Sequence, residues 1–353
     1  MRLIMFGTGP FAVPTFKSLL DSSLDVLALV TRPISDSGKR RKTSENPTRD
    51  VAEEHGLDIL DPADVNEAEF VARLVEMQAD VFVVCDYGQI LSRACLAAAK
   101  LAGINLHGSL LPKYRGAAPI NWAIYNGDTT TGITIILMTT KLDGGPCLVK
   151  SETQIGPTET AEEIEPRLAE LGVQPVHDSI EMLSNWDGES MLGEKQDRDL
   201  ATKAPRLKKS DGQIDWSQSA TQIFNQVRAF QPWPGSFTSW HSEKLKQPMR
   251  LILHRVSVFD NAAQNAVANS ELTEASNSND KVDRNDPDGS GTTNLSFADL
   301  QPGQVAVVNK TQLVIKTGDG LISIDEIQPA GKRAMPIPDF LRGKPPAVGD
   351  VFQ

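Results

Sequence analysis

Three polar residues of this 353-residue chain have types and positions that suit acid–base chemistry. Asn105 and His107 lie two residues apart in the run GINLHGS, and residues at this spacing on a strand point to the same face. Asp143 lies in the turn KLDGGP, where two glycines allow the backbone to approach a ligand closely. Brought together, an amide, an imidazole and a carboxylate would supply an oxyanion donor and a proton relay.

Each of these residues alone also has an ordinary structural interpretation. A histidine at a strand end is commonly a hydrogen-bonded structural residue, Asn105 could cap a turn, and an Asp–Gly pair is a frequent turn signal. The combination, followed by the constrained run SLLPKYRGAAP, favours chemistry. Neither a serine elbow nor a metal-binding spacing accompanies it, so we predict no metal.

The elements that would position these residues alternate between strands and helices. Helical patterns separate short apolar strands, which we predict at 3–6, 26–31, 80–86 and 103–107. This alternation predicts an α/β domain with a doubly wound, Rossmann-like parallel sheet, in which ligands bind at the carboxyl ends of the strands. Two longer strands, at 132–140 and 147–156, are predicted to pair around the turn that holds Asp143.

A second domain is predicted in the remainder of the chain. We assign residues 1–190 to the catalytic domain, 191–205 to a polar linker and 206–353 to the C-terminal domain. One amphipathic helix and several short strands in this last part favour a small OB-like β-barrel. Residues 261–300 are rich in Asn, Ser, Asp and Gly and hold few large apolar side chains, which predicts a disordered insert.

Charge is distributed unevenly along the chain. The sequence holds 35 Lys and Arg against 46 Asp and Glu, and the net charge of −11 argues against a general nucleic-acid binder. Residues 201–259, however, hold nine basic side chains against three acidic ones, and a basic loop is formed by Lys39, Arg40, Arg41 and Lys42. This asymmetry suggests a polyanionic partner, although most charge runs are solvated surface.

The opening run MRLIMFGTGPFAVP raises the question of a dinucleotide site. Gly7, Gly9 and Ala12 follow an apolar strand with the spacing G-x-G-x-x-A. The second strand ends in VTRP without a carboxylate, and Pro10 removes one backbone N–H from the turn. We therefore favour a plain strand-to-helix turn over a nucleotide site.

The cysteines and the apolar runs bear on the cellular compartment. Cys85, Cys95 and Cys147 are scattered and fit neither a disulfide framework nor a zinc site, so we expect buried thiols. No apolar run reaches membrane-spanning length, and the N-terminal residues lack the order of regions found in a signal peptide. We expect a cytoplasmic protein with no membrane partner.

The chain resembles the methionyl-tRNA formyltransferase family along nearly its whole length. The resemblance is carried by FGTGPFAVPTFKSLL, DVFVVCDYGQIL, NLHGSLLPKYRGAAPINWAI, GITIILMTTKLDGGPCL, IDWSQSATQIFNQVRAFQPWPGSF and IQPAGKRAM. It implies transfer of the formyl group of 10-formyltetrahydrofolate to the amino group of methionine on initiator methionyl-tRNA, for translation initiation. The family's catalytic Asn, His and Asp correspond to Asn105, His107 and Asp143.

The resemblance also implies binding residues. Folate contacts are expected at Ser109, Leu110, Leu111 and Pro112, and the pterin is expected beside Tyr87, Gly88, Gln89, Ile90 and Leu91. Contacts with tRNA are expected from the basic loop and from Lys208, Lys209 and Arg228. No obligate protein partner is implied.

This sequence departs from the family's pattern at a few positions. Gly144 stands where the family often has Thr, Pro146 where it often has Asp, and Gly108 where Ala or Pro is more common. These departures concern loop geometry rather than the catalytic roles. The 261–300 insert is foreign to the family's C-terminal domain.

Other functions remain open at this point. Formyltransferases that act on a nucleotide amino-sugar or another small amine share the Asn–His–Asp set, although the basic loop argues for a polyanionic acceptor. A nucleotide-dependent oxidoreductase and a non-catalytic RNA-binding protein are the alternatives from other classes.

Overall fold

The computed structural model describes residues 1–34, 46–259, 297, 299–343 and 345–353. The chain divides into two compact units, Met1–Leu207 and Lys208–Gln353. The polar segment 191–205 falls within the first unit. The basic loop of Lys39 to Lys42 lies outside the described residues, as does most of the 261–300 insert, so the structure does not address either prediction.

The first unit is built around a seven-stranded sheet with a small two-stranded pair beside it. The strands are β1 (Arg2–Gly7), β2 (Asp25–Val30), β3 (Asp58–Leu60), β4 (Val81–Cys85), β5 (Ala102–His107), β6 (Arg115–Gly116), β7 (Thr130–Leu137), β8 (Cys147–Gln154) and β9 (Lys203–Ala204). The large sheet has the order β3-β2-β1-β4-β5-β7-β8, and β6 pairs with β9. Strands β1 to β5 are parallel, whereas β7 and β8 form an antiparallel hairpin added beside β5.

Helices connect these strands. They are α1 (Val13–Leu20), α2 (Pro47–Glu54), α3 (Ala68–Glu76), α4 (Arg93–Leu96), α5 (Pro119–Tyr125), α6 (Ala161–Leu171) and α7 (Val173–Ser184), with a 3-10 turn at Pro10–Ala12 before α1. All five residues of β4 are buried, as expected for a parallel strand with both faces covered. The predicted doubly wound α/β fold is confirmed.

The second unit is an antiparallel barrel. Its elements are a 3-10 turn (Lys209–Gly212), α8 (Ala220–Ala229), β10 (Ser236–His241), β11 (Met249–Val258), β12 (Val305–Val308), β13 (Leu313–Lys316), β14 (Leu321–Pro329), β15 (Met335–Pro336), α9 (Ile337–Leu341) and β16 (Val351–Phe352). The sheet order is β12-β13-β14-β11-β10-β16, and a bridge between Gln304 and Val351 brings its two ends together. The nearly closed sheet confirms the predicted small β-barrel.

The cysteines and the helix lengths complete the description of the fold. Cys85, Cys95 and Cys147 are free and buried, as predicted, and burial raises the pKa of the Cys95 thiol to about 11. Within the described ranges, no helix has both the length and the apolar character needed to cross a membrane.

Candidate active site

His107 is held at the carboxyl end of β5 between a carbonyl and a carboxylate. Its side chain is 5% exposed, and its Nε2 lies 2.9 Å from the Tyr114 carbonyl oxygen. Because a carbonyl can only accept, Nε2 carries a hydrogen and donates it. Nδ1 faces the Asp143 Oδ2 atom at 3.8 Å, which is longer than a hydrogen bond. The nitrogen that can gain or lose a proton toward a substrate is therefore Nδ1.

Asn105 lies two residues before His107 on the same strand. Strand alternation places the two side chains on one face of β5, as the spacing predicted. Asn105 is half-buried, and its side-chain amide makes no hydrogen bond to any residue in the described part of the chain. The amide is therefore available to a ligand at the sheet's carboxyl edge.

Asp143 is fixed by contacts from a distant segment of the first unit. It has a φ of +47°, and its Oδ2 accepts a hydrogen bond from the Gly116 N–H at 2.8 Å. The side chain of Gln196 donates from Nε2 to the carbonyls of Asp143 and Gly145, at 2.8 and 2.7 Å. Gln196 Oε1 in turn accepts from the Arg115 guanidinium. Gln196 was not predicted, because it lies in the polar segment that was assigned to a linker.

The β6–β9 pair explains why residue 116 is glycine. Gly116 has a φ of +132°, and a Cβ at this position would overlap the Ala204 carbonyl oxygen on β9. A side chain would push β6 away from β9, and would thereby move the N–H that holds Asp143. This short pair therefore positions one of the three candidate catalytic groups.

Tyr114 is also anchored, so that its carbonyl can orient His107. Its backbone N–H donates to Thr202 Oγ1 at 2.8 Å, and its hydroxyl donates to Asp128 Oδ2 at 3.0 Å. Burial raises the pKa of Tyr114 to about 12. The phenol therefore stays protonated and keeps this bond at physiological pH.

The loop expected to contact folate is partly interior. Ser109 is fully buried and its hydroxyl donates to the Lys113 carbonyl, while Leu111 packs against Ile136 and Cys147. Leu110 and Pro112 are half-buried. Ser109 and Leu111 thus shape the loop, whereas Leu110 and Pro112 have surface left for a ligand.

The segment expected beside the pterin, residues 87–91, also contains both interior residues and residues with accessible surface. Tyr87 and Leu91 belong to the core of the sheet, and the Gln89 side chain binds backbone atoms of Ala63 and Val65. Gly88 has a φ of +85°. Ile90 is 69% exposed, which is unusual for a large apolar side chain. In this segment Ile90 offers the clearest apolar surface to a ligand.

The opening glycine turn packs against β4 and the end of β5. A Cβ at Gly9 would overlap the Asp86 carboxylate, which follows β4. A Cβ at Gly108, the residue after His107, would lie 3.5 Å from the Phe11 ring. The turn is therefore a wall beside the catalytic edge of the sheet.

The basic residues of the second unit differ in exposure. Lys208 and Lys209 are exposed. Arg228 is 8% exposed, its guanidinium donates to Asn225 Oδ1, and it lies over the Phe224 ring at 5.4 Å. The expectation that Arg228 contacts tRNA phosphates is therefore not supported, because the group is packed inside and already bonded. Clusters of three or more metal-ligating side chains are absent from the residues that the structure describes.

Comparisons with known proteins identify the family to which the chain is similar. The family model "Formyl transferase" matches residues 1–180, and "Formyl transferase, C-terminal domain" matches 206–345. A methionyl-tRNA formyltransferase from Rhodopirellula baltica is 40% identical over 350 residues, covering 97% of this chain and 94% of the relative. One from Geobacter metallireducens is 37% identical over 343 residues, covering 97% and 96%.

A solved structure shares the fold at low sequence identity. The N-formyltransferase from Helicobacter canadensis, in complex with folinic acid and dTDP-3-aminofucose, has a TM-score of 0.59 and is 14% identical. The match covers 92% of this chain and 98% of that protein.

Proposed function

Since this chain belongs to the methionyl-tRNA formyltransferase family, we propose that Asn105, His107 and Asp143 catalyse the family's reaction. The enzyme transfers a formyl group from a folate donor to the amino group of methionine on initiator tRNA. The observation that carries the residue assignment is the position of His107, held between the Tyr114 carbonyl and the Asp143 carboxylate on the same face as Asn105.

The first step is attack of the amine nitrogen on the formyl carbon. The formyl oxygen then gains negative charge, and the Asn105 amide donates a hydrogen bond to it. The loss of one such donor raises the barrier by about 2.7–4 kcal/mol. Asn105 is suited to this role because its amide has no protein partner to give up among the described residues.

His107 and Asp143 handle the proton. Before the attack, the methionyl ammonium loses one proton to Asp143, directly or through one water, which frees the lone pair of the amine. The imidazolium of His107, stabilised by the Asp143 charge 3.8 Å away, donates from Nδ1 beside the oxyanion. The tetrahedral intermediate then collapses and the bond to the folate nitrogen breaks. That nitrogen takes the proton held by Asp143, and the new formamide nitrogen releases its second proton to water. Nε2 stays bonded to Tyr114 throughout and keeps the ring in place.

The donor in this proposal is 10-formyltetrahydrofolate. Ile90, in the loop after β4, and Leu142, in the loop after β7, are 69% and 58% exposed. The loop after β4 leaves the sheet at the carboxyl end of β5, because the two strands are parallel. The loop after β7 reaches the site by another path, since Leu142 directly precedes Asp143, whose carboxylate lies 3.8 Å from His107. We propose that Ile90 and Leu142, with Leu110 and Pro112, supply apolar contacts to the pterin and its aryl extension.

The tRNA acceptor would be held mainly through its phosphates. Lys208 and Lys209 are exposed at the start of the second unit, and the basic loop of Lys39 to Lys42 adds four cations in sequence. Phosphate contacts contribute affinity that falls steeply with salt. We propose residues 1–190 as the catalytic domain and 206–353 as a tRNA-binding domain. Because charged initiator tRNA is found where translation begins, we also propose a cytoplasmic location.

Two measurements test the proposal. Formylation is assayed with charged initiator tRNA, charged elongator tRNA and a small amine such as glycinamide ribonucleotide, and we expect only the first to be a good acceptor. We expect His107→Ala and Asp143→Ala to lose at least about a hundredfold in rate. Retention of near wild-type formylation by either variant would show that the residue assignment is wrong.

A separate test concerns the tRNA contacts. The Kd for methionyl-tRNA should rise steeply between about 50 and 200 mM salt, whereas the Kd for folate should change little. A flat salt dependence for tRNA would remove the electrostatic account of binding.

A further inference from the structure

Asp86 occupies a position beside the catalytic groups that the mechanism above does not use. It directly follows β4, and in the parallel register Val84 pairs with Asn105 on β5. Asp86 and His107 therefore each lie two residues beyond the same pair. Adjacent strands are about 4.8 Å apart, so the two residues leave the sheet at neighbouring points of one edge.

The backbone of Asp86 turns its side chain away from the strand direction. Its φ of +48° lies in the left-handed region, which non-glycine residues seldom adopt and which is enriched at functional sites. The carboxylate fills the space where a Cβ of Gly9 would lie. Gly9 begins the turn whose Phe11 ring lies beside Gly108, the neighbour of His107. The carboxylate is thus seated on the wall next to the catalytic histidine.

The charges that face Asp86 are mixed. Arg32, which follows β2, and Arg206 attract its negative charge, while Glu165 on α6 opposes it. The surrounding protein excludes solvent enough to raise the pKa of Asp86 to about 6, with the two arginines acting in the opposite direction. At neutral pH the group is therefore mainly ionised.

Asp86 is exposed at the surface, and Arg32 and Arg206 act on its carboxylate from beyond ion-pair distance. It forms no hydrogen bond and no ion pair within the part of the chain that the structure describes. An accessible carboxylate that makes no direct contact with the protein is free to receive a cation or a hydrogen-bond donor. The amino acceptor of the proposed reaction arrives at this edge as an ammonium group.

We propose that Asp86 binds the α-ammonium group of the methionyl ester and positions it for attack on the formyl carbon. This inference rests on the proposed function, since it assigns a residue to the acceptor of that reaction. It makes Asp86 a substrate-binding residue that discriminates in favour of an amino acceptor. It also gives Gly9 a role, because only glycine leaves room for the carboxylate.

The test compares two acceptors in the full-length protein. Initiator tRNA is charged either with methionine or with its α-hydroxy analogue, which lacks the ammonium group, and the Kd of each is measured near pH 7. Wild type should prefer the methionyl form by about tenfold, as expected for a hydrogen bond between charged groups. Asp86→Asn should lose this preference and raise the KM for methionyl-tRNA, with the KM for the folate donor unchanged.

Two further variants make the result interpretable. Gly9→Ala should displace the carboxylate and abolish the preference without removing the charge, so it tests the position of the carboxylate separately from its charge. Glu162→Gln, which removes an exposed carboxylate from α6, is the matched control and should keep the preference.

Several outcomes would overturn the assignment. One is an equal preference for the methionyl form over the hydroxy analogue in Asp86→Asn and in wild type, and another is no such preference in wild type. A third is an equal loss of affinity for both acceptors in Asp86→Asn, which would indicate a structural role. Failure of the proposed function is distinguishable, because wild type would then not formylate methionyl-tRNA at all.

Discussion

Replacement of Gln196 tests whether the Asp143 loop must be held in place for catalysis. Gln196 is 8% exposed and joins three groups: it donates to the carbonyls of Asp143 and Gly145 and accepts from Arg115. Gln196→Glu keeps the acceptor for Arg115 but replaces the donor with an oxygen that faces two carbonyl oxygens. Gln196→Ala removes both interactions. The pair of variants therefore separates the contact with the loop from the contact with Arg115.

The size of the effect follows from these bonds. Each neutral hydrogen bond contributes about 0.5–1.5 kcal/mol net, so losing two lowers the free energy of unfolding by about 1–3 kcal/mol. A unit of this size loses about 2–4 °C in Tm for each kcal/mol. If Asp143 moves by about 1 Å, the rate can fall by about a hundredfold. We expect Gln196→Glu to be the slower enzyme, because it repels the loop rather than merely releasing it.

The assay is single-turnover formylation of methionyl-tRNA at saturating folate donor, combined with thermal melting of each variant. The chemical rate should fall while the KM for tRNA stays within about threefold, since the change acts after binding. Gln174→Ala is the control, because Gln174 is exposed and bonds only to Asp178 in the described structure. A wild-type rate in Gln196→Glu would refute the argument that this side chain positions Asp143.

Three other predictions follow from the same structure. Gly116→Ala should destabilise the protein by at least about 1 kcal/mol and reduce kcat at least tenfold, as thermal melting and turnover assays would measure. The reason is that the new Cβ overlaps Ala204 and moves the backbone N–H that binds Asp143. Ile90→Asp should raise the KM for the folate donor about tenfold and leave the KM for methionyl-tRNA unchanged, which steady-state kinetics with each substrate varied would measure. Asp86→Asn should melt about 2–4 °C above wild type at pH 7.5 but not at pH 4, as a pH series of thermal scans would show. The folded state holds the pKa of the Asp86 carboxyl near 6, whereas the pKa of an Asp in the unfolded chain is about 3.9. Ionisation of Asp86 therefore lowers the free energy of unfolding as the pH rises from about 4 to 6, and solvent exposure limits this loss to about 1 kcal/mol.

The sequence predicted those elements whose pattern is local. The apolar runs around Leu3–Phe6 and Val81–Cys85 become buried parallel strands because every side chain is apolar and can be covered on both faces. The spacing of Asn105 and His107 placed them on one face for the same local reason. In contrast, β3 has only three residues and gives no measurable periodicity. The antiparallel pairing of β7 with β5 depends on chain connectivity rather than on composition.

Long-range contacts set the limit of sequence-based prediction at the site. Gln196 lies 53 residues from Asp143, and its neighbours are polar, so nothing in its surroundings distinguishes it from a linker residue. Its role appears only when Lys203 and Ala204 pair with Arg115 and Gly116. Arg228 shows the opposite error, since a basic residue suggests a surface position. Its neighbours Asn225 and Phe224 provide a hydrogen-bond acceptor and a ring that allow it to be buried.

The opening glycines show what a spacing pattern can establish. Gly7 permits close packing, since its Cβ would lie 3.1 Å from the Ala12 Cβ and 3.2 Å from the Cys85 carbonyl oxygen. Gly9 leaves room for a group that approaches its backbone, as in a nucleotide-binding turn, but here that group is the Asp86 carboxylate. A carboxylate in this place would repel a pyrophosphate. The glycine pattern therefore indicates only that another group approaches the backbone closely. The identity of that group, here Asp86 after β4, makes the turn favour a cation over an anion.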